Sequence, residues 1–178
     1  MKDRIVDTAY EVASVLVSSI ITITIIFTFL FRLVGVSGHS MDTTLSNGDW
    51  LIVTTSYNEP KYGDIIVIAQ PTYFKEPLIK RVIAVGGQTV DLDNETGTVY
   101  VDGEPLYEPY TSTPATVPNI SQIDFPVVVP TGYLFCMGDN RNNSTDSRST
   151  LVGFIDERYV LGKALTRIIP FGKWSIYK

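Results

Sequence analysis

The N-terminal part of the chain carries the longest run of hydrophobic positions. From Val12 to Phe31 there are twenty residues without a charge, of which fourteen are apolar and six are Ser or Thr. A helix of that length spans about 30 Å, the thickness of the hydrocarbon core of a bilayer. A cleaved signal peptide usually has an apolar core of only about 7–15 residues, and no small-x-small cleavage site follows here. The pattern therefore predicts an uncleaved transmembrane anchor over residues 12–33.

The charges on either side of the anchor predict its orientation. Lys2, Arg4 and the α-amino group precede it, whereas only Arg32 follows closely. Because positive charges tend to stay on the cytoplasmic side, we expect residues 1–11 to be cytoplasmic. Residues 34–178 are then expected to form an extracytoplasmic domain.

After the anchor the hydrophobic positions form short β-branched runs that end at Gly, Asp or Pro, and no helical period appears. Such runs are typical of β-strands joined by turns. A hairpin is expected at Asp102-Gly103, and a strand pair around Pro130-Thr131-Gly132. The predicted strands are Trp50–Val53, Ile65–Ile68, Leu78–Val85, Thr98–Val101, Val127–Val129, Tyr133–Met137, Lys163–Ile169 and Trp174–Tyr177.

Between Pro105 and Pro126 the sequence is rich in Pro, Thr and Ser and has little periodicity. We expect a surface excursion from the β scaffold in this segment. The predicted fold class is therefore mainly β, with one β domain tethered by one N-terminal transmembrane helix.

Charge and composition exclude several classes of function. Fourteen Lys and Arg against nineteen Asp and Glu give a net charge of −5, which argues against a nucleic-acid partner because cations are not in excess. A single Cys excludes an intramolecular disulfide, and a single His excludes a multi-His metal site. We expect neither a metal nor a cofactor.

The first segment that could carry chemistry follows the anchor closely and contains Ser40 beside His39, the only His of the chain. In an extended segment adjacent side chains point to opposite faces, so His39 cannot easily reach the Ser40 hydroxyl. We expect His39 to be an exposed loop residue. If Ser40 is a nucleophile, another residue must take its proton.

The second segment is the predicted strand Leu78–Val85. Its alternation places Lys80 on one face with Leu78, Val82 and Ala84. Burial among apolar residues lowers the pKa of a lysine, and a neutral lysine can act as a general base. By itself, however, this segment favours the alternative of a strand lysine that extends to solvent.

The third segment, Gly138–Arg148, contains eleven residues without a large apolar side chain. So many hydrogen-bonding groups after an apolar strand indicate a loop that bonds to itself and orients its neighbours. A simple surface turn is the alternative interpretation of this segment.

Together the three segments resemble bacterial type I signal peptidases. The resemblance rests on Ser-Met-x-x-Thr-Leu after a transmembrane helix, Lys-Arg on a strand, and Gly-Asp-Asn-Arg-x-x-Ser-x-Asp-Ser-Arg near the end. Their order and spacing match the short, single-anchor form typical of Gram-positive bacteria. Thr43 stands where the family usually has Pro, and Gly86-Gly87-Gln88 departs from its usual Pro-Gly-Asp. Both departures indicate a divergent, specialised member.

The resemblance implies a membrane-bound serine endopeptidase that removes signal peptides after small-x-small sites. Ser40 would attack the scissile carbonyl, Lys80 would be the general base, and Ser144 would orient the Lys80 amine. The Ser40 backbone N–H would stabilise the oxyanion. Two candidate ion pairs would hold the loop: Asp146 with Arg148 and Asp139 with Arg81. The residues expected to line the substrate pockets are Val34, Val36, Met41, Leu45 and Ile79.

The expected partners are the signal peptides of exported preproteins and the lipid bilayer, and the expected location is the bacterial plasma membrane. Asn142 and Asn143 each begin an N-glycosylation acceptor pattern inside the third segment. A glycan there would obstruct the site, so we expect a compartment without N-glycosylation.

Three alternatives stay open. One is a catalytically idle or specialised pilus-assembly relative that acts as a binding or chaperone protein, although such relatives can lack the Ser or Lys that are present here. A self-cleaving Ser/Lys repressor is disfavoured by the anchor. The eukaryotic endoplasmic-reticulum enzyme, which uses His in place of Lys, is disfavoured by Lys80.

Overall fold

The apolar N-terminal segment forms a helix, α1 (Lys2–Leu30), in a computed structural model that describes residues 2–69, 74–111, 113–118 and 122–170. Val6–Leu30 is long and apolar enough to span a membrane, and none of it is buried against the rest of the protein. The Ser18 and Thr22 hydroxyls donate hydrogen bonds to the carbonyls of Val15 and Ser18, which satisfies polar groups that a bilayer could not.

The end of α1 is joined directly to the β domain. The helix ends at Leu30, because Phe31 already begins a strand, so residues 31–33 of the expected anchor are extended rather than helical. Thr55 donates its backbone N–H to the Leu30 carbonyl and its hydroxyl to the Phe29 carbonyl. These two bonds satisfy carbonyls that a helix C-terminus leaves free.

The rest of the described chain is β structure and turns. Beyond α1, the helical segments among the described residues are two single 3₁₀ turns, Arg141–Asn143 and Glu157–Tyr159. The strands in chain order are β1 (Phe31–Gly35), β2 (Trp50–Thr54), β3 (Ile65–Ile68), β4 (Leu78–Val85), β5 (Thr89–Leu92), β6 (Val99–Val101), β7 (Glu104–Pro105), β8 (Val127–Val128), β9 (Tyr133–Met137), β10 (Ile155–Asp156) and β11 (Val160–Ile169).

In the described part of the chain the strands form two antiparallel sheets. The larger has the order β1-β2-β11-β3-β4-β9-β10, and the smaller has the order β7-β6-β5-β8. Strand β4 is interior, with Ile66 paired to Lys80 on one side and Cys136 paired to Val82 on the other. An irregularity between Val82 and Ala84 interrupts the β4–β9 register. Ala84 therefore does not continue the face of Leu78 and Val82 and packs instead in the core between the sheets.

The predicted hairpin at Asp102-Gly103 is confirmed. Asp102 has φ 53° and Gly103 has φ 86°, the left-handed conformation that a tight two-residue hairpin turn requires at both positions. The predicted pairing of Val127–Val129 with Tyr133–Met137 is wrong. Strand β8 pairs with β5, whereas β9 pairs with β4 and β10. The Pro130-Thr131-Gly132 turn carries the chain from one sheet to the other, because proline restricts the backbone and Gly132 has φ 81°.

Strands β2, β3, β4, β6, β8, β9 and β11 agree with the predicted bounds to within a few residues, whereas β1, β5, β7 and β10 were not predicted. The predicted strand Trp174–Tyr177 lies outside the described residues. A buried cluster that includes Met41, Leu45, Leu51, Val53 and Ile65 lies between the large sheet and the loop that joins β1 to β2. This cluster supports the segment in which Ser40 lies.

Candidate active site

Ser40 lies in the loop between β1 and β2, and both ends of that loop are fixed. The Val36 N–H donates to the Asp49 carbonyl, and the Gly48 N–H donates to the Val36 carbonyl. The Arg167 guanidinium donates to the buried Asp49 carboxylate at 2.6 Å. Met41, next to Ser40, is almost completely buried. The loop therefore holds Ser40 in one place rather than presenting it on a free tip.

Lys80 lies on interior strand β4 and reaches Ser40 from across the site. Its Nζ is 2.7 Å from Ser40 Oγ, to which it donates, and the residue is only 3% exposed. Burial lowers the pKa of the Lys80 amine, and the nearby Asp146 carboxylate offsets only part of that effect. A neutral lysine beside a hydroxyl can accept its proton.

His39 takes no part in this contact. Its imidazole lies 2.9 Å from the Asp42 carboxylate, and its side chain is 64% exposed, as expected for a loop residue. Within the described ranges no group of three His, Cys, Asp or Glu side chains is arranged as metal ligands are.

Below Lys80, the third sequence segment is organised around Asp146. The completely buried Asp146 carboxylate accepts two hydrogen bonds from the Arg148 guanidinium at 2.8 Å each, and one from the Gly138 N–H at 3.0 Å. Burial by itself raises the pKa of Asp146, but the Arg148 charge and these hydrogen bonds outweigh it and keep the pKa low. The carboxylate is therefore ionised and holds the loop together, as the predicted Asp146–Arg148 pair requires.

Ser144 and Gly138 pack tightly beside the backbone of Ser40. The Ser144 hydroxyl donates to Asp146 at 2.7 Å. A Cβ on Gly138 would collide with Ser144 Oγ and with the Ser40 carbonyl oxygen. Glycine is therefore the residue that allows these two serines to lie on either side of one backbone position.

A second ion pair joins the loop to β4. The Arg81 guanidinium donates two hydrogen bonds to the Asp139 carboxylate, at 2.8 and 2.6 Å, and a third to the Gly63 carbonyl. Next along the chain, the Asn140 N–H donates to the Ser40 carbonyl, and the Asn140 side-chain amide donates to the His39 carbonyl. The predicted Asp139–Arg81 pair thus places Asn140 where it can hydrogen-bond to the backbone at His39 and Ser40.

A groove of about 300 Å³ opens beside Ser40 and Lys80. Four of the five predicted pocket residues line it: Val34, Val36, Met41 and Ile79. The fifth, Leu45, does not. Its N–H donates to the Met41 carbonyl, and this turn directs the side chain into the core, where it is completely buried. Further lining residues that sequence reasoning missed include Val67, Phe74, Pro77 and Leu78.

Sequence reasoning also missed Glu108 and Tyr110. They lie in the Pro105–Pro126 segment, which is not wholly a surface excursion: Glu108 contacts Arg141 of the third segment, and Tyr110 lies over Arg81. One sequence signal could have indicated Glu108, because no charged residue follows it until Asp124. An isolated acid beside an aromatic residue in such a stretch is a candidate for a specific contact.

A hydroxyl in contact with a buried amine, at the edge of an apolar groove and near a membrane-spanning helix, is the arrangement expected of a membrane-anchored Ser/Lys hydrolase. Residues 9–169 match the family described as "Signal peptidase, peptidase S26", and the chain belongs to that family. It is 42% identical over 147 residues to a probable signal peptidase I-1 from Synechocystis sp., an alignment that covers 76% of this chain and 70% of that protein. It is 37% identical over 175 residues to signal peptidase I T from Bacillus subtilis, with 94% and 89% of the two chains covered.

A solved signal peptidase I from Enterococcus faecalis is 30% identical, covers 61% of this chain and 98% of its own, and superposes with a TM-score of 0.47. The family assignment rests on the sequence comparisons. They show that the chain is a membrane-anchored signal peptidase, an enzyme that cleaves signal peptides from exported proteins. They do not favour the alternative of an idle pilus-assembly relative.

Proposed function

We propose that Ser40 is the nucleophile of this signal peptidase and that Lys80 is its general base. One observation carries the proposal: the Lys80 amine lies 2.7 Å from the Ser40 hydroxyl, on a residue that is 3% exposed. Burial lowers the pKa of that amine, so a larger share of it is neutral near pH 7 than for a lysine in water. Hydrogen-bond reach and a lowered pKa are the two requirements for a general base.

The geometry supports a two-step acyl transfer. The neutral Lys80 amine accepts the Ser40 proton while Oγ bonds to the scissile carbonyl carbon. The resulting ammonium then gives that proton to the leaving amine, and the peptide C–N bond breaks. In the second step Lys80 takes a proton from water, whose oxygen bonds to the acyl carbon. The bond from that carbon to Ser40 Oγ then breaks, and Lys80 returns the proton to Oγ. Lys80 ends each cycle neutral.

The oxyanion that forms in each step needs donors that are free to reach it. The Ser40 backbone N–H donates to no other described residue. It belongs to the same residue as the nucleophilic hydroxyl. We assign it to the oxyanion. One such donor lowers the barrier by about 3–4 kcal/mol.

The five neighbouring residues act on this pair without touching the substrate. Ser144 is proposed to orient the Lys80 amine, since its hydroxyl donates to the Asp146 carboxylate, whose charge acts on that amine. Asp146 with Arg148, and Asp139 with Arg81, are proposed to be ion pairs that hold the loop and take no part in bond breaking.

The groove supports a preference for small residues at the first and third positions before the cut. Its proposed specificity residues are apolar and buried or half-buried: Val34, Val36, Met41 and Ile79. Shallow apolar pockets admit Ala and exclude larger side chains by steric overlap. Leu45 supports Met41 from below and is not proposed to contact substrate.

The anchor supports cleavage at the surface of a bilayer. Only eight residues lead from Arg32 to Ser40, so the nucleophile lies within about 30 Å of the helix end even along an extended chain. We propose that residues 1–11 are cytoplasmic, that residues 34–178 lie outside a bacterial plasma membrane, and that the bilayer is a partner of α1. The excess of acidic residues supports the absence of a nucleic-acid partner.

The proposal is tested by Ser40→Ala. Detergent-solubilised enzyme is incubated with a labelled Ala-x-Ala precursor, and the cleaved fraction is followed with time. Loss of one oxygen should abolish cleavage and leave the unfolding midpoint unchanged. Ser46→Ala, at an exposed position in the same loop, is the matched control and should keep wild-type activity. Near-normal cleavage by Ser40→Ala would show that Ser40 is not the nucleophile.

A further inference from the structure

The segment that follows β7, residues 106–111, crosses from the small sheet to the third sequence segment, and we call it the strap. The Glu108 carboxylate of the strap accepts hydrogen bonds from both terminal nitrogens of Arg141, at 2.6 and 2.5 Å. The side chains are 10% and 1% exposed, respectively. A two-pronged pair with so little water around it is among the stronger and more directional contacts in a protein.

Tyr110 ties the strap to the same loop at a second point. Its hydroxyl donates to Glu108 at 2.7 Å, and its ring lies 3.8 Å from the Arg81 guanidinium carbon. That distance is well within the range of a cation–π contact. The Arg81 guanidinium is thus held at its edge by Asp139 and on its face by Tyr110.

From Arg141 a short series of contacts leads to the reacting groups. Arg141 Nε donates to the Gly138 carbonyl at 3.1 Å. Gly138 in turn is packed so closely between Ser144 and the Ser40 carbonyl that it has no room for a Cβ. A shift of Arg141 would therefore move Gly138 and, with it, the backbone of the nucleophile.

We propose that Glu108 and Tyr110 are positioning residues for the Ser40–Lys80 pair, acting through Arg141 and Gly138. The inference rests on the proposed roles of Ser40 and Lys80. The strap contributes no atom to the reaction; it sets the distance and direction between the hydroxyl and the amine. A misplacement of about 1 Å at such a pair can cost about a hundredfold in rate.

The electrostatics of the strap agree with this role. Burial by itself lowers the pKa of Arg141, but the hydrogen bonds and charge of Glu108 more than offset it and raise the pKa. Burial and the neighbouring Glu108 likewise raise the pKa of the Tyr110 hydroxyl, which remains protonated and able to donate. Arg141 depends on Glu108 for a partner of opposite charge, and Glu108 in turn is oriented by Tyr110.

The test measures kcat and KM separately for Glu108→Gln, with Glu104→Gln as the matched control. Glu104 is an exposed acid just before the strap, and its variant should behave as wild type. In Glu108→Gln, kcat should fall by about tenfold while KM changes by less than about twofold. The variant loses the alignment of the Ser40 hydroxyl with the Lys80 amine, whereas the substrate groove is unchanged. Unfolding midpoints show that each assay is run on folded protein.

The pH profile gives a readout that a purely structural role would not move. The groups that face the Lys80 amine are Ser40, Cys136, Asp139, Asp146 and Arg148, and none of them is altered in Glu108→Gln. A looser loop admits water to Lys80, so the rising limb of kcat against pH should move to higher pH. The double variant Glu108→Gln with Arg141→Gln should lose no more activity than the worse single variant, because both act through one contact.

If Glu108→Gln fails to fold because it leaves Arg141 unpaired, Tyr110→Phe carries the test. It removes one hydroxyl and keeps the ring over Arg81, and kcat should fall by about threefold with the same direction of pH shift. Wild-type kcat and pH profile in the folded variants would overturn the inference. An active Ser40→Ala would instead overturn the proposed function, so the two failures are distinguishable in one assay.

Discussion

At the scale of the residue, the site depends on one lysine whose surroundings favour its neutral form. Lys80 is buried on an interior strand and donates to Ser40. Asp146 and Asp139 raise its pKa and Arg148 lowers it, so the neighbouring carboxylates offset burial only in part. Burial is the largest contribution and sets the direction of the shift. In the proposed mechanism the chemistry therefore depends on excluding water from the Lys80 amine.

Activity should rise with pH along a limb that belongs to Lys80. Below the lowered pKa the amine is protonated and cannot accept the Ser40 proton; above it the amine is neutral and can. The limb should therefore lie well below the ordinary lysine value of about 10.4. The measurement is kcat/KM against pH. A flat profile between about pH 6 and 10 would remove the Ser/Lys mechanism.

Lys80→Arg should be inactive over the same range of pH. Arginine keeps the positive charge, but a guanidinium stays protonated at any pH the enzyme tolerates. The variant is compared with wild type by kcat/KM and by unfolding midpoint. Cleavage by a folded Arg variant would show that the base lies elsewhere.

Cys136 should be dispensable for catalysis. It is 1% exposed on β9 within an apolar cluster, and burial raises the pKa of its thiol, so the reactive thiolate is suppressed. Cys136→Ser should lower stability by about 1–3 kcal/mol, because a hydroxyl is a more polar group to bury, while kcat/KM stays near wild type. Rapid inactivation of the native enzyme by a small alkylating agent would contradict this.

At the scale of the element, β4 and the segment after β9 make different contributions to the site. Neighbouring residues of a strand point to opposite faces, so β4 directs Lys80 toward Ser40 and Arg81 toward Asp139. The segment after β9 then grips the Ser40 loop through Asn140. Two elements far apart in sequence thus fix one hydroxyl–amine distance.

Gly138→Ala should inactivate the enzyme more than it destabilises it. The added Cβ would collide with Ser144 Oγ and the Ser40 carbonyl oxygen, so kcat/KM should fall by about a hundredfold, against a stability loss of about 1–3 kcal/mol. Both quantities are measured on the same preparations.

Gly86→Ala is the matched control for this prediction. A Cβ there would lie 2.9 Å from the Pro130 carbonyl oxygen, so the turn after β4 is also too tight for a side chain, although less so than Gly138. It should lower stability by a similar amount of about 1–3 kcal/mol and spare kcat/KM. Equal losses of activity in the two variants would show that general destabilisation, not misplacement of Ser40, is the cause.

At the scale of the whole molecule, α1 fixes where the catalytic domain can act. The helix has no covering protein surface, and it passes into β1 with no linker. The groove lies next to β1, since Val34, Gly35 and Val36 line it. In the proposed function, substrate and enzyme are therefore both held at the surface of one bilayer.

Removing residues 1–28 should separate membrane presentation from chemistry. Phe29 and Leu30, whose carbonyls accept from Thr55, are kept. Cleavage of a short soluble peptide should stay within about threefold of full-length enzyme, whereas cleavage of a vesicle-inserted precursor should fall by at least about tenfold, because the local concentration provided by the anchor is lost. Equal losses on both substrates would show that α1 supports the fold of the site itself.

Much of this molecule could be predicted from local pattern. A largely apolar, uncharged run of twenty residues is removed from water only in a membrane or a large core. β-Branched runs between turn residues favour strands. The three motifs were sufficient to name Ser40, Lys80 and both loop ion pairs, because each motif is short and its residue types are chemically specific. Local pattern did not locate the end of the helix, which stops at Leu30, since Phe31–Leu33 is as compatible with a strand as with a helix.

Only the tertiary structure decided which segments distant in sequence pair or contact one another. Whether β8 pairs with β9 or β5 depends on which sheet each strand completes, and local sequence does not encode that choice. Leu45 is apolar and close to Ser40 in sequence, as a pocket residue would be, yet the turn at Met41 directs its side chain into the core. Glu108 and Arg141 are separated by thirty-three residues, and a contact across that separation has no signature in either segment. Hydrophobic patterning specifies which residues are buried, whereas packing specifies which buried residues meet.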